Sequence, residues 1–327
     1  MFVPTTFAAA LVMTIISTIC WGSFANTLKV TKNYRSEIYY WDYAAGIFLI
    51  SLLLAFTLGT IPGGDNTFAA NLHSATRSNF VYAAAGGFIF NIANVLLISG
   101  IEIVGLAVAF PISIGIALVE GVVLSYAIQP KGSAVLLGAG VAMAVIAVIL
   151  VGKAYGALRN ADQGVSRKGV VVCVISGLLM GLFAPFVTRA MTAGIPLTPY
   201  TVAVFFTFGA VICCSIFNVI LMKKPLVGEP IGFSAYANAP ASYHMLGLIG
   251  GAIWGVGTVF NFVAASLVGV AISYAIGQAS PMIAATWGVF VWHEFRGANR
   301  RARGYLIGMF AFYLLALVLI ARAYQSS

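Results

Sequence analysis

Charge is what this sequence has least of. Of 327 residues only 8% are charged, 17 basic against 8 acidic with three histidines, where soluble domains carry about 25%. That scarcity excludes a chain whose surface faces water. Cysteine is scarce too: Cys20, Cys173, Cys213 and Cys214 all fall in apolar stretches, with no ligand spacing and no histidine near them in sequence. A disulfide framework and a metal site are therefore not expected, and the four read as small buried hydrophobes. His73, His244 and His293 lie in loops or at the ends of apolar runs, unsupported by carboxylate spacing. The sequence has no Ser-His-Asp arrangement, no His-Glu-x-x-His helix and no phosphate-cradling Gly-Lys-Ser/Thr loop, so neither hydrolysis nor ATP use is indicated and no cofactor is expected. The first apolar run starts almost at Met1, lacks a basic leader and runs into the polar Lys29 to Glu37 stretch instead of a cleavage site. It is expected to be a retained span.

What fills the sequence is apolar. Hydrophobic residues make up 61% and the mean hydropathy is +1.01. A hydrocarbon core about 30 Å thick takes roughly 20 residues per helix, which leaves room for about ten spans and no soluble domain. The patterning places them near 6–28, 43–61, 79–99, 103–128, 133–151, 169–190, 198–221, 244–266, 269–292 and 304–323. The runs are long and continuously apolar, unlike the alternating segments of about ten residues in a barrel. The expected class is an all-α membrane protein.

The net charge of +9 invites a nucleic-acid reading, but the basic residues sit in short gaps between apolar runs. They orient the chain instead. Lys29, Lys32, Arg35, Lys153, Arg159, Arg167, Lys168, Lys223, Lys224, Arg296, Arg300, Arg301 and Arg303 fall on one side, against Arg77, Lys131, Arg189 and Arg322 on the other. The positive-inside rule puts the richer side in the cytoplasm and both termini outside, in a bacterial-type inner membrane.

An internal repeat emerges at an offset of 164 residues, where Gly86, Gly87, Ile89, Val95, Val104, Gly105 and Ala107 meet Gly250, Gly251, Ile253, Val259, Val268, Gly269 and Ala271. A weaker echo pairs Gly22, Phe24 and Ala25 with Gly181, Phe183 and Ala184. The halves are then about 1–152 and 169–327, joined by a linker over 153–168. Five spans per half, an odd number, predict ten transmembrane helices as two inverted five-helix repeats. Such halves exchange inward-open and outward-open shapes around a midplane substrate; a duplication kept only for packing is the plainer alternative.

Several stretches together carry a family resemblance. Trp21-Gly22-Ser23, Tyr40-Trp41-Asp42-Tyr43, and Val104-Gly105-Leu106 followed by Pro111-Ile112-Ser113 resemble the drug/metabolite transporter superfamily, in its ureide permease and glucose/ribose uptake branches. Phe183-Ala184-Pro185-Phe186, Pro199-Tyr200-Thr201, Lys224 to Pro230 with Ala235-Tyr236, and Trp287-Gly288-Val289 with His293-Glu294-Phe295-Arg296 are more similar to ureide permeases than to sugar porters. The resemblance covers nearly the whole chain and implies proton-driven import of allantoin, uracil or oxo-purines; the sister branch implies glucose or rhamnose. The short 153–168 linker stands where plant members have a long loop, and those members place their acid at the level of Phe110.

Glu120 is the one acidic residue well inside an expected span. An ionised acid at the bilayer centre costs roughly 3 kcal/mol on insertion scales, so it is expected to be protonated, paired or facing water. Proton exchange and a neutral hydrogen bond to a neighbouring helix are both open. Asn91, Asn94, Asn261 and Gln278 are intramembrane amides that offer donors and an acceptor to a ureide, pyrimidine or sugar, or that simply tie helices together. Trp21, Phe24, Phe90, Trp254, Phe260, Tyr274 and Trp287 lie in the spans that the superfamily resemblance sets around a cavity; Trp21, Trp254 and Trp287 are expected to pack the substrate's faces, with plain helix packing as the alternative. Trp41 and Trp292 fit the interfacial belt. Pro111 and Pro185 are candidate hinges, because proline frees a backbone carbonyl. Asp42, Glu102, Glu294 and Arg296, at span ends, read as solvated or gate-forming charges.

Together these residues describe a secondary transporter importing a small neutral polar metabolite, a ureide or nucleobase first, with proton, membrane lipid and substrate as its partners and no nucleic acid. Sugar uptake is the rival within transport. A non-transporting scaffold or receptor has no use for a buried Glu120 and paired amides, and a drug exporter would want a more acidic cavity.

Overall fold

A computed structural model describes residues 1–31, 34–61, 66–158 and 166–325, the side chains of Leu106 and Ala107 excepted. Lys32 and Arg159 of the basic set, and the centre of the linker, lie outside the described residues. Every regular element among the described residues is helical, as a backbone in hydrocarbon must satisfy its own N–H and C=O groups. The main helices are α1 (Phe7–Ser23), α2 (Ser36–Phe56), α3 (Arg77–Val104), α4 (Leu106–Ile128), α5 (Ala134–Gly156), α6 (Arg167–Thr192), α7 (Pro199–Cys213), α8 (Ala241–Val268), α9 (Val270–Gly277), α10 (Ser280–Phe290) and α11 (Arg300–Gln325). Hydroxyls start several of them: Thr6, Ser133, Ser166 and Thr198 each accept a backbone N–H three residues on, and Pro199 opens α7, where its missing N–H costs nothing.

Nine helical stretches among the described residues are long and apolar enough to cross a bilayer. The tenth expected span, 269–292, is not one helix. It is divided into α9, with 8 residues, and α10, with 11, separated by Gln278 and Ala279. Neither piece reaches the roughly 20 residues of a spanning helix. Pro281 is the local cause, since it has no N–H for the carbonyl of Gly277. Pro111 and Pro185, the candidate hinges, sit inside continuous helices.

Close helix approach holds the bundle together. α3 packs on α6 and α7, α8 on α1 and α2, α4 on α6, and α5 on α11. A Cβ built on Gly87 would stand 1.7 Å from the carbonyl oxygen of Phe206, and one on Gly251 would stand 2.2 Å from that of Tyr43. These two glycines, 164 residues apart, each let one backbone rest on another. The corners that follow them also match: Gly105 (φ 78°) joins α3 to α4 and Gly269 (φ 86°) joins α8 to α9, both with extended ψ, a region that penalises a side chain.

Basic loops gather at one end. There Lys29 pairs with Glu294, which also accepts from the Tyr155 hydroxyl at 3.0 Å; Arg35 reaches the Glu229 carbonyl, and Lys168 donates to the Leu226 carbonyl at 3.0 Å. At the far end the Asn79 amide donates to the carbonyls of Ala193 and Ile195, and Lys131 donates to that of Leu267 at 3.1 Å. Cys173, Cys213 and Cys214 are buried and Cys20 is half-buried.

Candidate functional site

A cavity of about 390 Å³ lies among α1, α2, α3, α4, α6, α8 and the break between α9 and α10, near the lower end of the roughly 300–1,000 Å³ of small-molecule sites. On α3 its lining runs from Phe90 to Glu102, about 18 Å at 1.5 Å per residue, and ends beside the basic end of the bundle. Of the expected substrate contacts it contains Trp21, Asn94, Trp254 and Gln278.

Trp254 forms one wall. Its ring stacks on Phe90 at 4.5 Å and on Trp21 at 6.0 Å, with interplanar angles of 23° and 16°. The Trp21 indole N–H donates to the Thr258 hydroxyl at 3.1 Å, one turn further along α8, which fixes the ring's orientation. Tyr39 and Tyr40 on α2, Phe110 and Ile114 on α4, and Met180 and Phe183 on α6 complete the apolar lining. Asn94 and Gln278 are each only 6% exposed, and the Asn94 side-chain amide nitrogen has no hydrogen-bond partner among the described residues. A buried amide without a partner costs about 1–3 kcal/mol, so a ligand that pairs with it recovers that cost. Gln278 stands where the helix is interrupted, beside Ser280 and Pro281 at the start of α10.

The other expected contacts lie outside the lining. The Trp287 indole donates to the Ser23 hydroxyl at 2.8 Å, tying α10 to α1, and the Asn261 amide donates to the Ser273 carbonyl at 2.9 Å, tying α8 to α9. Asn91 is buried beside the Cys213 thiol. Glu120 packs against Gly181 across the contact between α4 and α6, and its Oε2 is unpartnered among the described residues. It lies one turn from Ala117, whose carbonyl accepts the Tyr274 hydroxyl at 3.2 Å.

Sequence reasoning missed several lining residues. Tyr39, Met180 and Ile114 carry no chemical signal beyond membership of an apolar helix. Phe110, the level at which the family resemblance sets an acid, does line the cavity, as phenylalanine. Glu102 lines the mouth, where the Ser36 hydroxyl and the Arg35 charge face it.

Asp42 and His244 need correction. Asp42 is buried, not solvated, because its carboxylate accepts from the Tyr236 hydroxyl at 2.7 Å, from Nδ1 of His244 at 2.8 Å and from the Tyr34 hydroxyl at 3.4 Å. His244 thus has a carboxylate partner after all, 202 residues away in sequence. Burial, and then the Asp42 carboxylate, hold the Tyr34 and Tyr236 phenols above the ordinary tyrosine range. An unfolded chain ionises these phenols near pH 10 while the folded chain keeps their protons, so folding stability is present below that pH and lost as pH rises above it. Tyr236→Phe is expected to flatten the fall in Tm as pH rises above about 10 in detergent; an unchanged slope would count against this cluster.

A family model described as Ureide permease matches residues 39–167 and 163–323. Ureide permease 1 of Arabidopsis thaliana is 24% identical to the chain, over 90% of it and 91% of the plant protein. Ureide permease 4 of the same plant is 23% identical, over 98% of both. The probable glucose uptake protein GlcU of Priestia megaterium is also 23% identical, over 82% of this chain and 88% of its own. A solved structure of 14% identity superposes with a TM-score of 0.66, covering 96% of this chain and 98% of its own, which speaks to fold alone.

Proposed function

Since the chain belongs to the ureide permease family, we propose that it is a secondary active transporter importing a small neutral polar metabolite, a ureide or nucleobase, by proton symport with alternating access. The observation that carries this reading is the pair of buried amides, Asn94 and Gln278, set in an otherwise aromatic and apolar cavity. A flat ring edged with alternating N–H and C=O groups pairs with such amides, while its faces lie against aromatic walls. Among the described lining residues a charged substrate would find only Glu102, at the mouth. Sugar uptake is the second reading, favoured by the similarity to a glucose uptake protein.

The proposed halves are 1–152 and 169–327, and the matched corners at Gly105 and Gly269 support them. With the basic end in the cytoplasm, the cavity is an inward-facing one. Proton exchange is assigned to Glu120, through its position one turn from the carbonyl that holds Tyr274.

The test is uptake of labelled uracil into proteoliposomes under an inward proton gradient, competed with allantoin, xanthine, glucose and rhamnose. Nucleobases and ureides are expected to compete and sugars are not. Glu120→Gln is expected to lose concentrative uptake while keeping counterflow exchange. Entry of labelled glucose but not uracil would replace the ureide reading with the sugar one.

A further inference from the structure

A second pocket, about 220 Å³, lies at the end of the bundle opposite the basic loops and belongs to no site described so far. Four helical segments line it, and three of them continue into the lining of the central cavity. Met191 on α6, Thr198 and Pro199 at the start of α7, Ser266 on α8 and Val270 on α9 all border it. Further along the same helices, α6 brings Met180, α8 brings Trp254 and Gln278 follows α9, all in the central lining. From Val270 to Gln278 the chain advances eight residues, about 12 Å at helical rise.

Between the two pockets each of these helices contributes one aromatic ring. Phe183 from α6 meets Phe206 from α7 at 5.5 Å and Tyr274 from α9 at 5.4 Å, and Phe206 meets Phe262 from α8 at 5.5 Å. Phe206, Phe262 and Tyr274 are fully buried. The Tyr274 hydroxyl is held by the carbonyls of Ala117 and Met180, at 3.2 and 3.4 Å. Edge-to-face rings of this kind close a passage without any covalent or ionic tie, and they part when the helices that carry them move.

We infer that the second pocket is the outward vestibule of the substrate route, a subsite for the same neutral polar solute, and that Phe183, Phe206, Phe262 and Tyr274 are the partition separating it from the central cavity. This rests on the transport reading. The vestibule's described lining fits that cargo: Gln129, Ser266 and Asn66 offer polar side chains among apolar ones, Asn71 and Thr198 are engaged with neighbouring groups, and no charged side chain is among the described lining residues. In the conformation described here the partition is shut and the central cavity communicates with the basic end, which is one half of an alternating-access cycle.

Two reporters on one helix test this. Met191→Cys and Met180→Cys, each in a Cys20→Ala background, are reconstituted in oriented vesicles and treated from one face with a membrane-impermeant cationic methanethiosulfonate. From the face opposite the basic loops, Met191→Cys is expected to react at least tenfold faster than Met180→Cys; from the basic face the order reverses. Adding Phe262→Ala, or the milder Phe206→Leu should the first fail to fold, is expected to raise the outer-face reactivity of Met180→Cys at least tenfold. Phe208→Ala, on the exposed side of α7, is expected to leave it unchanged. Equal rates at the two reporters, or a partition variant without effect in folded protein, overturn the inference. The labelling needs no substrate, so a wild type that transports but labels alike at both positions sinks the vestibule alone. The expected labelling with no uptake of any probe sinks the transport reading, and with it the role assigned to the pocket.

Discussion

Gly87→Ala is expected to yield little folded protein, because the added methyl carbon would lie 1.7 Å from the Phe206 carbonyl oxygen and 2.6 Å from its carbon. Both groups belong to helix backbones, so no side chain can turn aside, and α3 and α7 must part by more than an ångström. The opposite side of the same seam is equally tight: a methyl on Gly209 would meet the Ala84 carbonyl oxygen at 1.9 Å. Overpacking in a filled core costs about 1–3 kcal/mol, and a backbone-on-backbone clash sits at or beyond the upper end. The check is thermal stability by fluorescence-detected gel filtration. Gly115→Ala and Gly138→Ala serve as controls, since a Cβ at either finds nothing within 4 Å. There the better helix propensity of alanine is expected to leave stability unchanged or raise it by up to about 1 kcal/mol. Equal behaviour at Gly87 and Gly115 would refute the close approach of α3 and α7.

The second large effect concerns transport. Asn94→Leu and Gln278→Leu are each expected to lower uptake kcat/KM by about 10- to 100-fold, mainly through KM, since a lost buried hydrogen bond to substrate is worth about 1–3 kcal/mol and each tenfold is 1.4 kcal/mol. At Asn94 leucine keeps the branched shape and replaces only the polar groups; at Gln278 it also shortens the side chain by one heavy atom. Asn261→Leu provides the contrast. Its amide is already spent on the Ser273 carbonyl, so its loss is expected to lower Tm with little change in KM. Steady-state uptake alongside thermal melts separates the two cases. A KM shift at Asn261 as large as that at Asn94 would mean that the cavity is not the binding site.

The intramembrane amides and tryptophans also mark the limit of the linear chain as a guide. All seven expected contacts are polar or aromatic residues in apolar helices, and all look alike in sequence. Four of them line the cavity, while Trp287 and Asn261 are spent on other helices and Asn91 is buried outside the lining. What separates Asn94 from Asn91 is only about 60° around α3, three residues at 100° less a full turn, and the position of α7, whose Cys213 lies beside Asn91. Asp42 teaches the converse. Near the start of a span it reads as a wet charge, yet residues 202 and 194 positions away in sequence supply His244 and Tyr236 to bury it.

Composition and periodicity alone determined that the chain crosses a membrane as helices, where nine of its spans lie, and which loops gather at one end. These follow from desolvation of the backbone and of charge, which act locally and leave their mark in every apolar run. The resemblance carried by scattered motifs placed the family. Only the tertiary structure decided that the tenth expected span is broken at Gln278, which amides face the cavity, and that four aromatic rings stand between two pockets. Each of those depends on which helix lies against which face. That is a matter of long-range packing, in which a glycine such as Gly87 matters through a carbonyl more than a hundred residues away.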